Sequence, residues 1–312
     1  MSAPRSPVAG RPLRFRAADG YRLAGTLHAP EGAPRLAVML SSGTGFPMRF
    51  YGRCAAHLAA RGALVLTFDY RGIGASAPDD LAAMDMDYPD WGRLDMPAAA
   101  EALLSAANAR GLRGPLVHLA HSVGGHFAGF MPNHALFAAH AFVAVGSGYW
   151  RDHPASYNPF ELWFWRVLGP LSLRRHGYVA RGGGWTGAPL PRGVFETWRR
   201  WCMKPGYYRD ELVERLRPHS FDALDRPIRS WVFPDDPIAT PRTAQAILDC
   251  YPAAAREPAA SREPAASREI VVRRPAEVGV KRIGHEGAFR SGCEPLWDEW
   301  LDWLLSIARR PI

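Results

Sequence analysis

The chain has 312 residues, long enough for one large core domain alone or with an insertion. Its formal charge of +8 is almost all arginine, scattered with no basic run interleaved with aromatics, which argues against a nucleic-acid surface. Cys54, Cys202, Cys250 and Cys293 form no CxxC pair and have no histidine at ligand spacing, no apolar run approaches the roughly eighteen residues of a membrane span, and Met1 to Arg16 carries no signal-type segment; a cytoplasmic protein with free thiols, no metal and no membrane span is expected.

Leu13 to Arg16 and Tyr21 to His28 read as short strands joined through the hairpin signal Asp19-Gly20. Leu36 to Leu40 is a continuous apolar run, the mark of a strand buried on both faces, and it opens into Ser41-Ser42-Gly43-Thr44-Gly45-Phe46-Pro47. A helix follows with Phe50, Cys54, Leu58 and Ala59 along its inner face, then a second buried strand over Leu64 to Phe68. Leu94 to Ala107 reads as a helix, with Pro97 in its first turn. Leu116 to His121 is a strand that stops at Ser122 and resumes as a helix through Val123-Gly124-Gly125-His126; Ala141 to Val145 is a further strand.

From Gly146 onwards the alternation breaks. Residues 147–226 crowd Trp150, Trp163, Trp165, Trp185, Trp198 and Trp201 together without strand periodicity, too long for a connection, and read as an inserted, largely helical cap. The core resumes with a strand over Ile228 to Phe233 that ends at Pro234-Asp235-Asp236-Pro237, a helix over Thr240 to Cys250, a last strand at Ile270 to Val272 and a helix from Glu294 to Ile307. Residues 1–146 and 227–312 thus form the core. Strands alternating with helices at this spacing predict a mostly parallel, doubly wound α/β sheet with a helical cap insertion. Residues 253–269 are of low complexity: Arg256-Glu257-Pro258-Ala259-Ala260-Ser261 recurs at once as Arg262 to Ser267. A proline every six residues forbids a continuous helix, so a flexible surface loop without assigned function is expected.

Ser122 stands where an apolar strand gives way at once to a helix, with Ala120 and Gly124 two residues either side. A strained turn of that kind lifts a hydroxyl clear of the sheet and needs small neighbours, because backbone passes close on both sides. Serine at its free pKa is a poor nucleophile; it needs a base in hydrogen-bond reach, and the base needs a carboxylate to fix its tautomer and stabilise its charge. In an open parallel sheet such groups gather at the carboxyl ends of the strands. Asp235 and Asp236 follow one strand, and His285, within Ile283-Gly284-His285-Glu286-Gly287, lies beyond the last. His121 adjoins Ser122 but points the wrong way to serve as its base, and reads as a packing or hydrogen-bonding residue. A tetrahedral intermediate also needs donors aimed at its oxyanion. The N–H of Val123 is one candidate; the loop after Leu36 to Leu40 should supply the other.

Ala120-His121-Ser122-Val123-Gly124 resembles the nucleophile elbow of the α/β-hydrolase superfamily, with Ala120 where the general signature has glycine. Ser, Asp, His is also the superfamily's chain order. Asp69-x-Arg71-Gly72-x-Gly74-x-Ser76 resembles a loop that is a structural signature there and not catalytic. The resemblance covers most of the chain outside the cap and the repeat, and looks closest to the serine hydrolases of esterase, lipase and aminopeptidase type, in a bacterial branch. It implies the α/β-hydrolase fold, Ser122 as nucleophile, and His285 as base, since Gly-His-x-Gly after the last strand is where the superfamily keeps it. It favours Asp236 over Asp235 as the acid, because Asp236-Pro237-Ile238-Ala239 resembles the superfamily's Asp-Pro-aliphatic-small pattern. Where the superfamily often has His-Gly, this chain has Ser42-Gly43-Thr44-Gly45-Phe46; the second oxyanion donor is expected at Thr44, with Gly45 the alternative.

The expected activity is cleavage of a hydrophobic, uncharged carboxylic ester through an acyl-enzyme, with no cofactor. Acyl transfer, or thioester or amide cleavage, would use the same groups. The reading from another class is a non-catalytic ligand-binding protein on a hydrolase scaffold. The expected partner is a small-molecule ester, and the sequence does not fix the oligomeric state. The apolar segment Phe160 to Val167, with Trp163, Phe164 and Trp165, is expected to touch both the core and a cavity.

Overall fold

The structure, a computed structural model, describes residues 10–252 and 267–308. Its strands are β1 (Arg11–Arg16), β2 (Arg22–His28), β3 (Leu36–Ser41), β4 (Ala63–Asp69), β5 (Leu116–His121), β6 (Phe137–Val143), β7 (Ile228–Val232) and β8 (Arg268–Val272). Its α-helices are α1 (Gly52–Ala60), α2 (Met96–Asn108), α3 (Val123–His126), α4 (Asn158–Trp163), α5 (Gly169–His176), α6 (Arg192–Cys202), α7 (Pro241–Leu248), α8 (Pro275–Val278) and α9 (Glu294–Ala308). One sheet holds the strands in the order β1-β2-β4-β3-β5-β6-β7-β8. The β1–β2 and β2–β4 pairings are antiparallel and the rest parallel.

The two-residue period of a strand assigns the two faces. Leu36, Val38 and Leu40 of β3, with Ala63 and Val65 of β4, join one apolar cluster together with buried residues of α1 and α9. Ala37 and Met39, with Leu64, Leu66 and Phe68, join the opposite cluster with residues of α2. Helices cover both faces, which is why these strands read as continuous apolar runs. Each fully buried large side chain contributes on the order of 1.5–3 kcal/mol relative to leaving it in water.

Two boundaries differ from the sequence expectation. β6 runs over Phe137–Val143 and not from Ala141 to Val145. His140 hides its early start: this polar ring is fully buried, with its Nδ1 3.1 Å from His118 Nδ1 on β5, and His118 Nε2 lies 2.9 Å from Ser41 Oγ. The early stop follows from Ala144, whose φ of 51° leaves extended space. Phe50 falls outside α1, in the 3₁₀ turn Met48–Tyr51, and is half-buried where an inner helical face was expected.

The loop after β4 is a structural clamp. Arg71 Nε donates to Asp95 Oδ1 and Arg71 Nη1 to Asp19 Oδ2, both at 2.7 Å. Asp69 accepts from the N–H groups of Met48 (2.6 Å) and Ala75 (2.8 Å).

Between β6 and β7 the described chain adds α4, α5 and α6, with isolated bridges at Val179–Leu190 and Gly182–Trp185. Phe164 and Trp165 are buried while Trp163 is 53% exposed. The tandem repeat lies outside the described residues apart from Ser267, whose carbonyl accepts from the Ile228 N–H at 2.8 Å. No helix among the described residues is long and apolar enough to cross a membrane. Because β3 and β5 to β8 are parallel, the loops after them emerge at one edge of the sheet.

Candidate active site

Ser122 links β5 to α3 with φ 50° and ψ −118°. A non-glycine residue held there costs roughly 1–3 kcal/mol and persists only where its surroundings fix it. Its N–H donates to the Val143 carbonyl at 3.1 Å, and its own carbonyl accepts from the Gly125 N–H at 3.0 Å. A Cβ on Gly124 would lie 2.9 Å from the Ser41 carbonyl oxygen, so the elbow closes only with glycine there. Ala120 departs from the general pattern without penalty, its methyl being fully buried in the core.

His285 Nε2 lies 3.0 Å from Ser122 Oγ, and His285 Nδ1 lies 2.8 Å from Asp236 Oδ2. Asp236 is buried, and its Oδ1 accepts from the Ile238 N–H at 2.8 Å. Burial by itself would raise the pKa of this carboxyl. The charge and hydrogen bond of His285, with the N–H groups of Ile238 and Ala239, outweigh burial and hold it below the usual value. A carboxylate on Nδ1–H leaves the Nε2 lone pair facing the serine hydroxyl. Asp235 turns elsewhere: its Oδ2 accepts from the Ile283 N–H at 2.8 Å and braces the loop that carries His285. Ser122, His285 and Asp236 therefore come together, and Asp235 stands apart from them.

The loop after β3 runs beside the elbow, and both Thr44 and Val123 line the cavity into which Ser122 opens. The Gly43 N–H is occupied, donating to the Tyr51 hydroxyl at 2.8 Å. Phe46 N–H donates to the Gly43 carbonyl at 3.1 Å, closing a turn in which Gly45 has φ 77°. A Cβ on Gly45 would lie 2.5 Å from Trp185 Cζ2, so contact and conformation both demand glycine. The Gly45 carbonyl also accepts from the Ala188 N–H at 2.8 Å, joining this loop to the segment between β6 and β7. Thr44 Oγ1 is hydrogen-bonded with the Tyr88 hydroxyl.

The cavity has a volume of about 1170 Å³. Tyr157, Phe160, Phe164, Trp165, Trp198 and Tyr207 from the segment between β6 and β7 line it, as do Ser122 and His285. Trp163, expected beside them, does not reach it. Glu161 and His153 add a polar spot to this wall. His153 Nδ1 lies 2.9 Å from the Glu161 carboxyl, and His153 Nε2–H donates to the Ser147 carbonyl at 2.9 Å. Burial would lower the pKa of His153, but the hydrogen bond and charge of Glu161 outweigh it and raise that pKa. Among the described residues, no group of three or more His, Cys, Asp or Glu is placed to hold a metal ion.

The sequence model of the family described as "Serine aminopeptidase, S33" matches residues 32–181. Similar solved structures span almost the whole chain. A soluble variant of monoglyceride lipase from Saccharomyces cerevisiae, in complex with a substrate analogue, is 15% identical, covers 99% of each chain and has a TM-score of 0.63. An esterase of Pyrococcus furiosus is 13% identical over 99% of this chain and 96% of its own, with a TM-score of 0.57. The esterase domain of a Rhodothermus marinus protein is 17% identical over 96% of this chain and 100% of its own, with a TM-score of 0.55. The chain has the α/β-hydrolase fold. No curated protein matches the sequence.

Within this hydrolase fold, His121 is the hydrogen-bonding residue expected, and sequence reasoning missed its partner Tyr51. His121 is buried, and burial together with nearby His285 pushes its pKa down to about 3, so the ring is neutral near pH 7. Its Nε2–H donates to the His285 carbonyl at 2.9 Å, which makes Nδ1 the acceptor for the Tyr51 hydroxyl at 2.7 Å. The Tyr51 oxygen in turn accepts from Gly43 N–H. One chain of hydrogen bonds thus ties the loop after β3, the elbow and the His285 loop. The sequence signal for it was slight: a histidine closing an otherwise apolar strand.

Proposed function

We propose that this chain is a serine hydrolase that cleaves a carboxylic ester through an acyl-enzyme. The observation that carries the reading is the chain Asp236–His285–Ser122, with contacts of 2.8 and 3.0 Å, opening into a largely aromatic cavity. Ser122 Oγ attacks the ester carbon while His285 Nε2 takes its proton, and Asp236 stabilises the imidazolium that forms. The backbone N–H groups of Val123 and Thr44 receive the developing oxyanion. His285 then returns the proton to the leaving alkoxide, and water repeats the sequence to release the acid. Residues 147–226 act as a cap over the serine.

An ester suits the cavity better than the free amino terminus of a peptide, which the family's description would suggest. An ammonium taken out of water needs an unneutralised carboxylate beside it. Glu161 and Glu286 are the carboxylates of the cavity wall; His153 engages the first and Arg290 the second. The esterase and lipase names of the structural neighbours lean the same way.

A fluorophosphonate probe should label the native chain and leave Ser122→Ala unlabelled. p-Nitrophenyl alkanoates of graded length should be cleaved faster than aminoacyl p-nitroanilides. An unlabelled native protein would mean a binding protein on a hydrolase scaffold.

A further inference from the structure

The cavity wall beside Ser122 is not uniformly apolar. His126, at the end of α3, is 4% exposed, and its Nε2–H donates to the Gly146 carbonyl at 2.9 Å. Burial pushes its pKa down to about 3, so the ring is neutral and Nδ1 carries a lone pair. That Nδ1 has no hydrogen-bond partner among the described residues. Tyr207 stands edge-to-face against the same ring, centroids 5.4 Å apart, and is 2% exposed. Its hydroxyl likewise has no partner in hydrogen-bonding geometry among the described residues, although the Trp198 indole is near enough to temper the effect of burial on it. His126, Tyr207 and Trp198 all line the cavity.

The backbone gives a second, independent sign. Tyr207 has φ 59°, a conformation bulky residues rarely adopt. It is held against Gly148, where a Cβ would lie 3.0 Å from Tyr207 Cε2. A strained residue on a cavity wall, with an unmet polar atom, fits a ligand contact.

We propose that His126 and Tyr207 form a subsite for a hydroxyl group of the substrate, which donates to His126 Nδ1 and accepts from the Tyr207 hydroxyl. The inference rests on the serine-hydrolase reading and narrows it from hydrophobic esters to hydroxylated ones. An atom that only accepts, beside one that can donate, matches an alcohol, which does both. A ketone or carboxylate would set lone pair against lone pair at His126.

The hydroxyl can belong to the acyl chain or to the alcohol, and two matched comparisons separate these sources. The first sets p-nitrophenyl butanoate against its β-hydroxy form. The second sets ethyl butanoate against the monobutanoate of ethylene glycol. In at least one comparison the hydroxylated ester should show a kcat/KM about tenfold higher or more. That ratio should fall towards one in Tyr207→Phe, which removes a single oxygen and keeps the ring, and in His126→Phe. Fluorophosphonate labelling of each variant reports that Ser122 is still correctly placed. Equal rates for plain and hydroxylated esters in both comparisons overturn the subsite and leave the hydrolase reading standing. So does a preference that survives Tyr207→Phe. A native protein that neither labels nor cleaves any ester overturns both.

Discussion

On the floor of the cavity the groups around Ser122 are fixed through the backbone. The Ser122 N–H and carbonyl, the Gly43 N–H and the His285 carbonyl are each engaged at 2.8–3.1 Å. Around the same space the segment between β6 and β7 packs ring against ring: Trp165 with Trp198 at 4.8 Å, Tyr207 with Tyr208 at 4.9 Å and Phe164 with Trp185 at 5.3 Å between centroids. Backbone hydrogen bonds are directional and leave few residue choices, whereas apolar packing tolerates exchange at similar volume. Floor and wall therefore leave different marks on the sequence, a short motif in one case and a composition in the other.

If the floor acts as a unit, its loss should be large and non-additive. Ser122→Ala and His285→Ala should each lower kcat on the order of 10³-fold or more, and the double variant little further. Additive losses in a kcat comparison would separate the two residues. Next in size, Asp236→Asn should lower kcat by roughly 10²–10⁴-fold, because the amide upsets the tautomer of His285. Asp235→Asn should cost far less, since an amide oxygen can still accept from the Ile283 N–H.

Asp236 also gives the floor a pH signature. Its folded-state pKa is depressed. The stabilisation this represents is complete above the unfolded value near 4 and is lost as pH falls through the lower folded value. Urea midpoints between pH 6 and pH 3 should therefore fall more steeply for the native chain than for Asp236→Asn, and parallel curves would contradict this.

The seam between the regions comes next. Gly45→Ala adds a Cβ 2.5 Å from Trp185 Cζ2 at a φ of 77°. It should destabilise by about 1–3 kcal/mol and raise KM, measured by urea unfolding and ester kinetics. A silent variant would mean that the seam yields easily. The smallest effects belong to the wall. Phe160→Ala, at a cavity-lining residue 46% exposed, should shift KM and chain-length preference a few-fold with little change in Tm. Trp163→Ala, which does not reach the cavity, should change neither. Equal responses of the two would erase the distinction between lining and surface aromatics.

The same contrast explains what could be read in advance. The parallel strands were legible from their apolar runs. Ser122, Asp236 and His285 were legible because each follows a strand, so topology alone brings them to one edge. Tyr51 was not, because its link to His121 spans 70 residues and exists only after folding. His126 and Tyr207 were hidden for the same reason: nothing local distinguishes a histidine with an unmet lone pair from one with a partner. β6 was misplaced because buried His140 breaks an apolar pattern that its pairing with His118 repairs in space. Strand and elbow are local facts; hydrogen-bond partnerships are not.

The bond from Ala188 N–H to the Gly45 carbonyl makes the two regions mechanically dependent. Trp185 tightens it, its indole N–H donating to the Ala188 carbonyl at 2.7 Å. Any displacement that lifts Ala188 must either break this bond or drag Gly45, and with it the neighbouring Thr44 amide proposed for the oxyanion. Admission of a bulky molecule and readiness for chemistry then sit on one lever, in opposition. A cavity held wide would be poorly equipped to stabilise negative charge, and water entering it would meet a serine without its full set of donors.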